Sequence, residues 1–231
     1  MAPPDGHEEE TPALYPPGAG HEQPEPAVRE EYLAWMKDSL EWGTKAKPGK
    51  HGMTMRAINV GLYGEVPEES RDMSRRPRGA FAIPGVPATD LYTINRKEEL
   101  WADNAVDLYE EAIQRRWAAH IDIPWDNLEP LSEEVELAMR QLCTELAQQA
   151  STETDVVGQW LHRMNYAYHE VKNFLATELF DTARHYEAFR RRALAHGGSL
   201  GLESPGQMNR RLLESRAGWS ETALYLYIIR G

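Results

Sequence analysis

The sequence predicts an all-α protein: a bundle of long antiparallel helices behind a leader rich in proline and glutamate. Three observations predict it. From about Asn95 onward, apolar residues recur at steps of three and four, the spacing of a helix face, and no alternating strand pattern competes. Pro124 and Pro130 fall between periodic stretches, and Gly197-Gly198 closes the last long one. Hydrophobic content of 41% and charged content of 27% are ordinary for a soluble globular domain.

The elements follow in order. Residues 1–27 hold seven of the 15 prolines together with many glutamates, a composition that predicts a disordered acidic tail, either a plain leader or a docking segment. "VREEYLAWMKDSLEWGTK" predicts a short amphipathic helix with Tyr32, Trp35, Met36 and Leu40 on its apolar side. Up to residue 96 the chain is rich in Gly, Pro and Arg. That predicts an ordered loop which wraps the domain or serves a partner, because it exceeds ordinary connection lengths. Residues 97–231 are expected to form the bundle proper.

"INRKEELWADNAVDLYEEAIQRRWAAH" predicts the first long helix, ended by the prolines of "IPWDNLEPL". "LSEEVELAMRQLCTELAQQAS" predicts the second, with Ser132 as N-cap and acids in its first turn. "STETD" offers new caps, so the third helix is expected from about Asp155 to Ala195. That is about 40 residues, or roughly 60 Å. Short helices are expected around Gln207–Ser215 and in "GWSETALYLYIIRG".

The formal net charge of −12 argues against nonspecific binding to nucleic acid or to an anionic membrane surface. A single cysteine, Cys143, excludes an internal disulfide framework and fits a reducing compartment. No apolar run approaches the ~18 residues of a membrane helix, and the first residues do not read as a secretory signal. A cytoplasmic location is the expectation.

The third helix carries a regular seam: Val157, Leu161, Met164, Tyr168, Val171, Leu175, Glu178, Thr182, His185 and Phe189. Alternating steps of four and three keep these residues on one face, so Glu178, Thr182 and His185 stand where core residues belong. On the second helix Val135, Ala138, Leu142, Glu145 and Gln149 share a face, which places Glu145 inward as well. Burying an unpaired carboxylate costs several kcal/mol. A hydrogen-bonded polar network or a metal would account for these residues. Glu110, Glu111 and Glu170 are placed on solvated faces, His162 and His169 beside the seam, and Cys143 among small buried apolar residues. Trp117 and Trp125 are expected as core or interface anchors. No phosphate loop, Ser-His-Asp arrangement or zinc-type cysteine spacing is present in the sequence.

"FDTARHYEAFRRRAL" resembles the Asp-Glu-x-Arg-His segment of the ferritin-like di-iron carboxylate proteins, such as ribonucleotide reductase small subunits and bacterial multicomponent monooxygenases. The likeness covers roughly residues 98–231. It implies a ferritin-like four-helix bundle whose iron is held by inward carboxylates and Glu-x-x-His pairs. Carried over, His185 matches the histidine, Arg184 the arginine and Asp181 the aspartate, with Glu145 as the lone carboxylate of the preceding helix. Thr182 stands where that family has the ligand glutamate, so Glu178 or Asp181 would have to replace it. The resemblance therefore implies metal ligands Glu145, Glu178, Asp181 and His185, iron as cofactor, and oxygen-dependent oxidation of an organic substrate. A second set of ligand helices is missing from this segment. The alternative expectation is a non-catalytic structural or assembly subunit, a homo- or hetero-oligomer paired through the apolar "ALYLYII" helix.

Overall fold

The computed structural model describes residues 46–80, 82, 85–205 and 208–229. The acidic tail and the helix expected over residues 28–45 lie outside them. The described chain is helical, with isolated bridges in place of strands among the described residues. Its elements are α1 (Met55–Ile58), α2 (Ala105–Gln114), α3 (Glu133–Leu161), α4 (His169–Leu194), α5 (Met208–Leu213) and α6 (Trp219–Leu224), the last continued by a π-helical turn, Tyr225–Ile229.

α3 and α4 form an antiparallel hairpin. Glu136 at the start of α3 pairs with Arg192 at the end of α4 at 3.0 Å. Further along, the hydroxyls of Thr154 and Thr182 meet at 2.7 Å. α2 packs on α4 and α5 packs on α3. The core gathers Ile94, Ala105, Val156, Val157, Trp160, Met164, Val171, Leu175, Trp219 and Leu226.

The helix boundaries differ from the sequence expectation in two places, each for a local reason. The first long helix is reduced to α2. Before it, Lys97–Glu99 form a 3-10 turn and Trp101 Nε1 donates to Asp103 Oδ1 at 2.8 Å. After it, Asp122 accepts from the Ala118 amide at 2.6 Å and Trp125 Nε1 donates to Ala119 O at 2.6 Å. Such side-chain bonds offer the backbone an alternative to the helix.

The second difference is larger. "STETD" does not break the chain. Thr152 and Thr154 turn their hydroxyls back to the carbonyls of Gln148 and Ala150, at 2.9 and 3.0 Å, and α3 runs through to Leu161. The break falls instead at His162–Tyr168. There the Arg163 carbonyl accepts the amides of Thr93 and Ile94, and the Asn165 amide donates to Ile94 O at 3.0 Å. Asn165, extended in backbone and buried, caps the following 3-10 turn by accepting from the Ala167 amide. The loop 46–96 thus closes the turn of the hairpin, and Tyr168, fully buried, anchors it by donating to Asn95 O at 2.8 Å.

The inward face of α3 is also one residue away from the expected one. Cys143, Ala147, Ala150, Val157 and Trp160 are buried, whereas Val135 and Leu142 are exposed. One residue is about 100° of rotation. The small side chains on the true face let α4 approach closely enough for the two threonines to meet.

Candidate functional site

The polar residues of the seam are placed by α3 and α4. Thr182 is buried, bonded to Thr154 and to Leu179 O. Glu178 accepts from the hydroxyl of Tyr227, and that hydroxyl is held in its neutral form by burial and by the neighbouring carboxylate. Asp181 pairs with Arg184. The Arg184 guanidinium lies between the rings of Trp117 and Phe180, at 4.8 and 5.0 Å, and donates to Trp117 O at 2.8 Å. So Arg184, not His185, is the buried member of that turn. His185 is exposed, its ring 6.4 Å from those of Trp117 and Phe189.

Glu145 is half-buried and accepts from Gln141 at 3.0 Å. Gln141 exchanges bonds with the Leu202 backbone, so Glu145 belongs to the side of α3 covered by residues 199–204. Among the described residues, no group of three or more His, Cys, Asp or Glu side chains is close enough to hold a metal ion. Glu145, Glu178, Asp181 and His185 therefore do not converge, and iron held by this donor set does not fit the geometry.

A buried polar cluster lies elsewhere among the described residues and was missed by the sequence reading. Glu170, placed on the surface by periodicity, is 1% exposed. It pairs with Arg78 from the loop, accepts from Asn59 Nδ2 at 2.8 Å, and has His169 Nε2 at 3.5 Å. Arg78 also donates to the carbonyls of Tyr63 and Ala167. Burial, the largest influence, pushes the His169 pKa down and Arg78 adds to that; Glu170 opposes it. The sequence signal was the arginine-rich "RRPRGAF", which does not say which arginine turns inward.

Cys143 is buried as expected, and burial raises its thiol pKa. Among the described residues, open and largely apolar grooves flank the hairpin. One of about 350 Å³ lies between α2 and α4, beside Ile113 and Phe180; another, about 560 Å³, lies along α3 beside Leu137 and Leu202. No helix among the described residues is long and apolar enough to cross a membrane. No family model, curated protein or solved structure matches the chain.

Proposed function

We propose that this chain is a non-catalytic assembly subunit: a helical hairpin of ferritin-like type that associates through its C-terminal apolar helix. One observation carries the reading. Glu178 and Asp181 are bonded to Tyr227 and Arg184, Glu145 faces the 199–204 segment, and His185 points to solvent. These groups support the packing of helices instead of converging on an ion.

The C-terminal element supports the association. Trp219, Thr222 and Leu226 face the core, while Leu224, Tyr227 and Ile228 are 52%, 41% and 72% exposed. The exposed three stand at i, i+3 and i+4, one helix face. Read in either direction the row is aliphatic, aromatic, aliphatic, which suits pairing with a second copy about a two-fold axis. Composition and the lone cysteine fit a cytoplasmic setting for that assembly.

Two measurements test this. Protein expressed in iron-supplemented medium and purified without chelator is expected to carry no stoichiometric iron, and His185→Ala to leave both iron content and fold unchanged. Light scattering is expected to give a dimer that Ile228→Glu converts to monomer. A monomeric parent chain overturns the association.

A second reading, an oxygen-activating iron protein, rests on the sequence spacing of Glu178, Asp181 and His185 alone, because their side chains do not converge. Near-stoichiometric iron lost in His185→Ala would establish that reading and remove the first.

A further inference from the structure

Lys172 sits in the first turns of α4 in surroundings unlike those of the other described lysines. Lys47 and Lys50 are exposed, and Lys97 pairs with Glu68 at 3.1 Å. Lys172 is half-buried, and among the described residues no carboxylate lies within ion-pair distance of it. Its Nζ donates to Met164 O at 3.0 Å and lies 4.1 Å from the ring centre of Tyr166 and 5.6 Å from that of Tyr92.

The two rings meet edge to face at 6.2 Å. Tyr92 is 5% exposed, and its hydroxyl has no hydrogen-bond partner among the described residues. Arg75, exposed on the loop, is near enough to act on the charge of both Lys172 and Tyr92. Burial first, and then Arg75, bring the Lys172 pKa down to about 8. Asp72 is the acid of this corner, and it is engaged by Arg76 and the Ser74 amide.

A half-buried lysine amine without a carboxylate partner, beside two aromatic rings and close to a second cation, is arranged as a nucleophile. We propose that Lys172 is a covalent capture site for small oxo acids, its amine forming an imine with the carbonyl carbon and Arg75 receiving the carboxylate. The lone pair of the neutral amine adds to the carbonyl carbon, and the carbonyl oxygen takes a proton from solvent. The nitrogen loses a proton, the hydroxyl of this carbinolamine takes another and departs as water, and C=N remains. Nothing is oxidised or reduced, and hydrolysis reverses the step. Arginine suits the carboxylate because its planar fork matches that group.

The test uses the full chain, glyoxylate as probe and cyanoborohydride to trap the imine, with peptide mapping over a range of pH. The chain has six lysines: Lys37, Lys45, Lys47, Lys50, Lys97 and Lys172. The expected result is an adduct at Lys172 formed about tenfold faster than at the other five near pH 8, with a half-maximal rate near that pH. The α-amino group titrates in the same range and is separated by the mapping. Lys172→Arg, checked for fold by circular dichroism, removes this adduct alone. Arg75→Gln slows capture of glyoxylate more than capture of uncharged acetaldehyde, which changes only through the Lys172 amine. Labelling of Lys172 no faster than that of Lys47 and Lys50 overturns the site. An unchanged ratio of glyoxylate to acetaldehyde in Arg75→Gln overturns the carboxylate subsite.

Discussion

Arg78 carries its charge into the interior and meets enough acceptors there to stay. Its side chain is 7% exposed, and it binds Glu170 and two backbone carbonyls. The next residue, Gly79, has φ +84°, and a Cβ there would sit 2.0 Å from the Tyr63 ring, so glycine is what lets the loop bring Arg78 inward at this point. Arg78→Met leaves a buried carboxylate without its cation. The expected loss is about 3–5 kcal/mol in a urea titration. The double variant Arg78→Met/Glu170→Leu is expected to lose less than the single one, because the orphaned charge is gone. His169 adds a pH dependence. Burial lowers its folded pKa below the ordinary 6.5, so the unfolded chain takes up a proton first as pH falls. Stability attributable to His169 is complete above pH 6.5 and declines below it. His169→Gln is expected to flatten that decline in thermal melts between pH 7 and pH 5.

The hairpin shows what helical periodicity reveals and what it hides. The seam was legible: Val157, Met164, Tyr168, Val171, Leu175 and Thr182 are all buried. The break was not, because the turn at residues 162–168 returns the chain with its apolar residues still facing the same core. The seam therefore reads smoothly across a reversal of direction. Ser and Thr residues gave the opposite error, since the hydroxyls that cap a helix in one setting bond back into it in another. Gly197 at φ +74° ended the hairpin where the sequence placed its stop. Between the helices, Thr154 and Thr182 form the polar contact at the centre of the seam. Replacing either with Val is expected to cost about 1 kcal/mol, and the double variant less than the sum, as a double-mutant cycle in denaturant measures.

For the whole molecule, the helical class was readable from composition and spacing, but the location of its buried polar groups was not. Glu170 is one position off the apolar seam and looks solvated on any helical wheel; what buries it is a loop that begins more than a hundred residues earlier in the sequence. Asp181 and His185 suggested a shared ion, yet Arg184 takes the buried place between them and turns the aspartate to a cation on its own helix. A motif fixes spacing along one helix, whereas convergence depends on how neighbouring helices are rotated, and α3 proved rotated by one residue. The net charge of −12 opposes self-association at long range. The proposed pairing at Leu224 and Ile228 is thus expected to tighten with added salt, as sedimentation at two ionic strengths would register.

The bonds between Thr93–Asn95 and Arg163–Asn165 have a temporal consequence. Neighbouring turns of α3 and α4 can form early, since their contacts are local. The reversal between them is completed only when a segment about 70 residues upstream arrives, and closing so large a loop is slow. The seating of that segment is then expected to come last in folding, and until it happens the Tyr168 hydroxyl lacks its Asn95 acceptor.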